Sequence, residues 1–423
     1  MLDLLIKNAA LATTGKKADI AIIKDKIVEI SAKIDAEAHE VIDAEGHLVS
    51  PPFIDPHFHM DATLSLGLPR LNESGTLLEG IQLWGELKPH LTLDALKQRA
   101  HQLVKWSIAN GTLAIRSHVD TSDASLLAVE ALLEVRREIA PYVDLQLVAF
   151  PQDGYFRSKG AVKNLQRALD LGVDVVGGIP HYERTMQDGA RSVKALCEIA
   201  AERGLMVDMH CDESDDPLSR HIETLAQETQ RLGLEGRVAG SHLTSMHSMD
   251  NYYVSKLLPL IAEAEITAIP NPLINITLQG RHDSYPKRRG MTRVKEMTAM
   301  GINVALGHDC VMDPWYSLGS HDMLEVAHMA VHVGQMTGVS EMQAMYDAVT
   351  VHSAKVMNLE NYGLETGCNA DLVILQARDK IEAIRLKPAR LFVVRRGKIV
   401  SRTKPVFAAL NLDGEAHQVD FLK

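Results

Sequence analysis

The chain has 423 residues, of which 46% are hydrophobic and 23% charged, the composition of a globular protein with room for one large domain and a smaller one. Its formal net charge of -11 argues against binding to a nucleic-acid backbone, and without a run of about eighteen apolar residues we expect no membrane span. The N-terminus lacks the order of a signal peptide, and four widely spaced cysteines argue against a disulfide framework, so we expect a cytoplasmic protein.

Both ends of the chain are predicted to form β-strands, because short apolar or alternating segments lie there between turn-forming residues. In the first fifty residues these segments are "DLLIKNAAL", "ADIAIIKDKIVEIS" and "EVIDAEGHLVS". At the far end they are "ADLVILQA", "ARLFVVRRGKIVSRT" and "KPVFAALNL", and a tail follows. We therefore predict a small β-sandwich domain built from both termini, residues 1–50 and 359–423.

The middle of the chain, residues 51–358, alternates apolar strand-like segments with amphipathic helical ones about eight times. The predicted strands are "LVSPPFIDPHFH", "TLAIRSHVD", "VDLQLVAFPQ", "VDVVGGIPH", "LMVDMHCDE", "RVAGSHLTS", "EITAIPNP" and "NVALGHD". A typical helix follows Thr92 as its N-terminal cap and stops at Gly111. This alternation predicts an α/β protein with a parallel (β/α)8 TIM-like barrel. An open doubly wound sheet is the alternative, but polar residues fall at the strand ends, where barrel enzymes carry their chemistry.

Four histidines and one aspartate lie at the ends of predicted barrel strands. His57 and His59 are two residues apart and so point to the same side of the first strand. The fifth strand ends with His210, the sixth with His242 and the eighth with Asp309. Because the carboxyl ends of the strands meet at the mouth of a barrel, we expect these five side chains to converge there.

Imidazole nitrogen and carboxylate oxygen are ligands that suit zinc or ferrous iron. Three histidines and one aspartate leave a coordination position for water, whose pKa falls to about 7 on such an ion. A second ion in such barrels needs a bridging ligand, often a modified lysine on the fourth strand. That strand ends "VVGGIPH" without a lysine, so we predict one divalent metal ion.

Two further polar residues lie near the same mouth. Glu213 follows His210 by three residues and can either move a proton between water and a leaving nitrogen or merely orient His210. Gln152 follows the third strand, and its side-chain amide carries the donor and the acceptor needed to read a lactam edge. The alternative for Gln152 is a loop amide that binds backbone.

Longer motifs now point to a known family. They include "PPFIDPHFHMD", "SGTLLEGIQLW", "LQLVAFPQDG", "DMHCDESDD", "GSHLTSMHS", "NPLINITLQGRHDSYPKRRGMTRVKEM" and "GHDCVMDPWYSLG". With these motifs, nearly end to end, the chain resembles the amidohydrolase superfamily and, within it, the bacterial cytosine deaminases of the barrel type. The combined HxE and PCxxC signature of the other zinc deaminases is absent, because the sequence contains no PCxxC.

The resemblance implies hydrolytic deamination at C4 of a free pyrimidine base, with ammonia as the leaving group, in a homo-oligomer that is often a hexamer. The implied ligands of a single zinc or iron are His57, His59, His210 and Asp309. His242 is implied to orient the attacking water, and Asp309 to take its proton. Glu213 is implied to protonate ring N3 and to assist the departure of ammonia.

The resemblance also implies a substrate pocket. Gln152 would pair with the pyrimidine O2 and N1–H. Trp315, Leu77 and Leu278 would form apolar walls around a flat ring.

One position departs from the family, because Cys310 stands where the cytosine deaminases have a second aspartate close to C5 of the ring. Cysteine behaves as a small hydrophobe, whereas a carboxylate resists desolvation against a methyl group. We therefore predict that 5-methylcytosine is preferred or readily accepted, within the 10–200-fold, or about 1–3 kcal/mol, that one methylene discriminates. A metal-ligand role is disfavoured because adjacent strand residues face opposite ways, and a nucleophilic role because no basic neighbour is evident.

Three alternatives stay open from the sequence. A cyclic-amide hydrolase of the dihydroorotase or hydantoinase kind would attack a C–N bond within the ring. An isoguanine-type deaminase would act on a related ring. A non-catalytic oligomeric scaffold would have lost its ligands, whereas every ligand type is present here.

Overall fold

The computed structural model describes residues 1–423, and the chain begins with five strands. They are β1 (Leu2–Leu11), β2 (Lys17–Ile23), β3 (Lys26–Ser31), β4 (Ala38–Asp43) and β5 (Leu48–Ser50). One edge of β1 pairs with β2, and the other pairs first with β4 and then with β5. Pro51 and Pro52 lack the N–H groups that a strand needs, so β5 ends before them. The single strand predicted over residues 48–59 is therefore wrong, because its two halves lie in different sheets.

The second sheet is parallel and forms the barrel. Its strands are β6 (Phe53–Phe58), β7 (Thr112–Asp120), β8 (Asp144–Phe150), β9 (Val175–Gly178), β10 (Met206–Cys211), β11 (Val238–His242) and β12 (Thr267–Ile269). They lie side by side in chain order, and the members of the sheet are nearly all buried. These seven strands match seven of the eight predicted for the barrel.

The eighth predicted strand closes the barrel by isolated bridges rather than by a continuous ladder. Val304 bridges Ala268 on β12, and Asp309 bridges Phe58 on β6, both in parallel. The segment thus spans the gap between the last and the first strand of the sheet, and the (β/α)8-like barrel of the prediction is confirmed.

Twelve helices lie between or after the barrel strands along the chain, and a thirteenth lies nearer to the C-terminal end. They are α1 (Leu77–Leu87), α2 (Leu93–Ala109), α3 (Leu127–Ile139), α4 (Ala161–Asp170), α5 (Met186–Arg203), α6 (His221–Leu232), α7 (Asn251–Glu263), α8 (Pro272–Leu278), α9 (Val294–Ala299), α10 (Met323–Val333), α11 (Val339–Asp347), α12 (Val351–Val356) and α13 (Lys380–Leu386). The Thr92 side chain accepts from the N–H of Ala95 at the start of α2, and Gly111 after its end has φ +76°. No helix combines the length and the apolar character that crossing a membrane requires.

The far end of the chain returns to the first sheet. Its strands are β13 (Leu372–Leu375), β14 (Arg390–Arg395), β15 (Lys398–Arg402), β16 (Ala408–Leu412) and β17 (Glu415–Val419). β13 pairs antiparallel with β5 and carries β14 and β15 beyond it, so that both termini build one eight-stranded sheet. β16, which lies within the predicted strand "KPVFAALNL", does not join this sheet but pairs with β17 of the tail in a separate, mostly exposed hairpin.

Candidate active site

The barrel brings the five predicted side chains together at the carboxyl ends of its strands. His57 lies on β6, His59 directly follows it, His210 lies on β10 and His242 ends β11. Asp309 completes the group from the eighth segment, where its N–H donates to the His57 carbonyl at 2.9 Å and its carbonyl accepts from the His59 N–H at 2.9 Å. All five residues are buried.

The spacing of the donor atoms suits one metal ion. His59 Nε2 lies 3.0 Å from His210 Nε2 and 3.4 Å from Asp309 Oδ1, and His57 Nε2 lies 3.6 Å from the same oxygen. Donor atoms held tetrahedrally at about 2.1 Å from zinc stand roughly 3.4 Å apart. His57 Nε2 is buried and has no hydrogen-bond partner in the protein, a costly state that an ion would relieve. These residues therefore fit a divalent ion.

His118, on β7, joins this cluster, although it was not among the site residues predicted from the sequence. Its ring centroid lies 4.2 Å from that of His57, and both of its ring nitrogens are buried without a hydrogen-bond partner. There are two sets of four residues whose donor atoms, one from each residue, all lie within 4.8 Å of one another. Both sets include His57 and His210. One set adds His242 and Asp309, the other His59 and His118, so neither set is the predicted quartet of His57, His59, His210 and Asp309. The HVD sequence at the end of β7, like HFH at the end of β6, is the signal that could have pointed to His118.

A buried chain of hydrogen bonds supports His57 from behind. Its Nδ1 lies 2.9 Å from Ser241 Oγ, which donates to Asp208 Oδ1 at 2.7 Å. Arg116 donates from Nη1 to the other oxygen of Asp208 at 3.0 Å. Because the Ser241 proton is used on Asp208, His57 Nδ1 carries the hydrogen and Nε2 is left free for a ligand. Such partners fix the ring orientation and the tautomer of a metal-binding histidine.

His242 and Glu213 form a second pair beside the cluster. His242 Nδ1 lies 3.5 Å from Glu213 Oε1, and His242 Nε2 lies 3.8 Å from Asp309 Oδ2. Asn275 Nδ2 donates to His242 Nδ1 at 2.9 Å, so the hydrogen of the neutral ring lies on Nε2, facing Asp309. Asn275 was not predicted from the sequence, although it is the last residue of the "NPLIN" motif that follows the seventh strand.

The electrostatic environment favours the uncharged form of both members of this pair. Burial, together with the charge of Asp309, raises the pKa of the Glu213 carboxyl well above its ordinary range. Burial lowers the pKa of His242 to about 3, against the opposing effect of Asp309. His242 and Asp309 also have φ of +69° and +71°, in the left-handed region that residues other than glycine rarely adopt. Strained backbone of this kind clusters at functional sites.

A cavity opens onto the cluster. Its lining includes four of the five predicted pocket residues, namely Leu77, Gln152, Cys310 and Trp315. Leu278, the fifth, is not part of the lining: it is buried at the end of α8, and Ile274, one helical turn earlier on the same face, takes the place beside the cavity. The remaining lining residues are Leu78, Ile81, Phe150, Ile179, His181 and Tyr182, together with His59, His210, Glu213, His242 and Asp309. Among the lining residues unforeseen from the sequence, Phe150 ends β8, and the others lie on helices or in the segments that follow strands, where the direction of a side chain depends on the folded backbone.

Cys310 forms a neutral part of the cavity wall. Its Sγ lies 3.7 Å from Asp309 Oδ1, and the residue is 3% exposed. Burial and the neighbouring carboxylates raise the pKa of the thiol well above its ordinary range. A thiol held in its protonated form is a poor nucleophile, which agrees with the prediction of a wall residue.

Trp315 is held in place from two sides. Asp313 Oδ1 accepts from the N–H of Trp315 at 2.9 Å and from the N–H of Tyr316 at 3.0 Å. On the other side, α1 approaches the indole ring through Gly80, where a Cβ would stand 2.4 Å from Trp315 Cδ1. Trp84 of the same helix lies 6.0 Å from Trp315 between ring centroids and donates from Nε1 to Asp120 at 2.9 Å.

A barrel of this topology with a histidine–aspartate cluster at its mouth defines an amidohydrolase. Residues 40–403 match the sequence profile of the amidohydrolase family, and the chain belongs to this family. Its structure is similar to that of a 5-methylcytosine deaminase from Klebsiella pneumoniae liganded with 5-fluorocytosine, with a TM-score of 0.92, 42% identity, and coverage of 95% of this chain and 98% of that chain.

Two further relatives have other activities. The chain is 29% identical over 417 residues to the N-isopropylammelide isopropyl amidohydrolase of Pseudomonas sp. (strain ADP), covering 96% of this chain and 99% of the relative. It is 27% identical over 401 residues to the pterin deaminase of Rhizobium rhizogenes, covering 93% of this chain and 90% of the relative. The protein is thus a cytosine-deaminase-type amidohydrolase, a hydrolase that acts on C–N bonds.

Proposed function

We propose that the protein removes the C4 amino group of a free pyrimidine base by hydrolysis and that 5-methylcytosine is a preferred or readily accepted substrate. The observation that carries this proposal is the cavity itself. One wall is the histidine–aspartate cluster, Glu213 lies beside it, and the other walls are largely apolar, with Cys310 next to Asp309. The 5-methylcytosine deaminase activity of a protein 42% identical supports the same substrate class.

His57, His59, His210 and Asp309 would hold a single zinc or iron ion. When bound, the ion supplies Lewis acidity, which makes water a nucleophile at neutral pH. The protein contributes the position of every donor through the strand ends, and the bonds behind His57 fix its tautomer.

The remaining residues of the site move protons and hold the ring. Asp309 accepts a proton from the attacking water, and His242 Nε2–H, which faces Asp309, stabilises the developing negative charge. Glu213 keeps its proton because burial raises its pKa, so it can deliver that proton to ring N3 as the oxygen adds to C4. Glu213, now anionic, takes the remaining water proton from the hydroxyl on C4 and delivers it to the amino nitrogen. The C4–O bond becomes the carbonyl as the C4–N bond breaks and ammonia leaves, and the proton held by Asp309 returns to Glu213.

Substrate recognition rests on the cavity walls. Gln152 offers a donor and an acceptor to the N1–H and O2 edge of the ring. Trp315 and Leu77 provide apolar surface for its faces. Cys310 presents a neutral thiol where a 5-methyl group would lie, so that no charged group must lose its water to admit the methyl.

The deciding experiment measures ammonia release and kcat/KM for cytosine, 5-methylcytosine and isoguanine with metal-replete protein. We expect ammonia from both pyrimidines, with 5-methylcytosine at least as good a substrate as cytosine. A hundredfold lower kcat/KM for 5-methylcytosine contradicts its preference and leaves cytosine or isoguanine as the substrate. Ring opening of a dihydropyrimidine or hydantoin without ammonia release contradicts the deaminase proposal as a whole and indicates a cyclic-amide hydrolase.

A further inference from the structure

A single buried carboxylate joins the two chain segments that carry most of the candidate metal ligands. Asp55 Oδ1 accepts from the N–H of His57 at 3.1 Å and from the N–H of His308 at 3.1 Å. His57 is a candidate ligand, and His308 directly precedes Asp309. One oxygen atom of Asp55 therefore fixes the distance between the first strand and the eighth segment at the level of the site.

The other oxygen of this carboxylate is held by a histidine that no step of the proposed reaction uses. His321 Nε2 lies 2.9 Å from Asp55 Oδ2, and because a carboxylate only accepts, the ring donates. His321 Nδ1 lies 2.7 Å from Ser107 Oγ on α2, which also bonds the Leu103 carbonyl at 2.9 Å. Asp55 is thereby connected to the outer helix layer through His321.

Ser107, His321 and Asp55 are hydrogen-bonded in the same order as the serine, histidine and aspartate of a catalytic triad. Their burial argues against a role of Ser107 as a nucleophile. Ser107, His321 and Asp55 each have 0% exposure, and none of them lines the cavity. A nucleophile without access to substrate has no reaction to perform. The arrangement is therefore suited to holding backbone in place.

The location of these bonds gives them particular weight. Strands β6 to β12 are joined by ladders, whereas the eighth segment meets β6 only by the isolated bridge between Phe58 and Asp309. Beyond the two backbone bonds of that bridge, the next ones across the seam are from the N–H of Leu64 to the Val311 carbonyl and from the N–H of Leu66 to the Met312 carbonyl. The Asp55 carboxylate therefore adds to a short set of bonds at the level of the site.

We propose that His321 is a positioning residue for the metal centre and acts through Asp55 on the spacing between His57 and Asp309. The inference rests on the proposed function, because it presupposes that these residues hold an ion. We expect His321 to affect the affinity for the ion and the turnover number. We expect no direct effect of His321 on the cavity walls that would bind the pyrimidine.

The test compares His321→Met, which removes the donor but keeps an apolar side chain of similar size, with His321→Gln, which retains an N–H donor. The dissociation constant of Zn²⁺ is measured by competition with a chromophoric chelator on metal-free protein, and the thermal midpoint is recorded for each variant. We expect about 10–100-fold weaker Zn²⁺ binding in His321→Met and recovery of most of the affinity in His321→Gln. KM for the pyrimidine should change less than kcat.

A destabilised control separates positioning from general loss of stability. Leu324→Ala removes a fully buried side chain at the start of α10 without touching Asp55, so we expect a lower thermal midpoint and wild-type Zn²⁺ affinity. Weaker Zn²⁺ binding in both Leu324→Ala and His321→Met to the same degree would show that His321 acts only on stability and would overturn the inference.

The remaining outcomes distinguish this inference from the proposed function. If wild-type protein binds no divalent ion, both fail together. If wild-type protein binds Zn²⁺ and releases ammonia while His321→Met binds Zn²⁺ equally tightly, only the inference fails. If His321→Met does not fold, Ser107→Ala takes its place, since it frees the outer side of the His321 ring. Unchanged Zn²⁺ affinity in Ser107→Ala then overturns the inference.

Discussion

Gly80 and Trp315 are in such close contact that no methyl group fits between them. A Cβ on Gly80 would stand 2.4 Å from Cδ1 and 2.9 Å from Nε1 of the indole ring. Trp315 lines the cavity, so the absence of a side chain on α1 decides how far this wall extends toward the substrate.

We expect Gly80→Ala to push Trp315 from its place and to raise KM for the pyrimidine by roughly tenfold, the effect of about one misplaced apolar group. Gly85→Ala is the matched control, because Gly85 lies in the same helix and a Cβ there meets nothing within 4 Å. That control should gain about 0.5–1 kcal/mol in the free energy of unfolding and keep wild-type kinetics. Equal KM values for the two variants would contradict the role given to Gly80.

Cys310→Asp should shift the substrate preference toward cytosine. A carboxylate at this place must lose water to accommodate a 5-methyl group, whereas the thiol has little hydration to lose. We expect the ratio of kcat/KM for 5-methylcytosine to that for cytosine to fall by roughly 10–200-fold. Cys310→Ser, which is neutral and of similar size, should lower the ratio much less. An unchanged ratio in Cys310→Asp would exclude this residue as the specificity determinant.

Glu213→Gln should lower kcat by about 10²–10⁴, since an amide can still hydrogen-bond the ring but cannot transfer a proton. KM should change little, because burial keeps the wild-type carboxyl protonated and therefore similar to an amide in charge. Single-turnover measurements with metal-replete variant and wild type separate the chemical step from product release. A kcat within a factor of a few of wild type would assign Glu213 to a supporting role beside His242.

Asp313→Asn should flatten the pH dependence of stability. Burial raises the pKa of Asp313 to about 7. Between about pH 4 and 7 the folded protein keeps a proton that the unfolded chain has released, so the free energy of unfolding falls as the pH rises. Asparagine keeps the Oδ1 acceptor for Trp315 and Tyr316 but has no charge to bury.

The measurement for Asp313→Asn is denaturant unfolding of the metal-free protein from pH 5 to 9. Part of the slope should remain, because burial also raises the pKa of Asp61 to about 7. A variant with the same slope as wild type would show that Asp313 is charged in the folded protein throughout this range.

Removal of the metal ion by a chelator should abolish ammonia release and lower the thermal midpoint. An ion present at a thousand times its dissociation constant adds about 4 kcal/mol to the free energy of unfolding. Both losses should be reversed by Zn²⁺ or, under anaerobic conditions, by Fe²⁺, and comparison of the two identifies the better cofactor. Full activity in protein shown by elemental analysis to be free of metal would contradict the proposed site.

The histidine–aspartate cluster could be predicted from the sequence because each member ends a strand of a barrel. His210 and His242 are far apart in the chain, yet the parallel register of β10 and β11 places them at one mouth. Leu278 and Ile274 could not be distinguished in this way, since both lie on one face of a short helix whose orientation is set by tertiary packing. For His118, the sequence did not show that the ring faces the interior beside His57.

The hydrogen bonds of Asp55 could not be predicted from the sequence either. A short apolar strand containing an aspartate does not reveal its partners, and His321 follows it by 266 residues. Hydrogen bonds of this separation depend on the closure of the whole barrel, and local periodicity carries no information about them.

The seam between β6 and the eighth segment determines when the site can form during synthesis of the chain. Asp55 and His308, whose backbone meets it across the seam, are separated by 253 residues. During synthesis the early half of the site emerges long before the late half, and the entropy of closing so long a loop must be met by contacts formed in between. Shorter nascent chains lack part of the histidine–aspartate cluster, so an ion that needs the complete cluster would bind only after the barrel has closed.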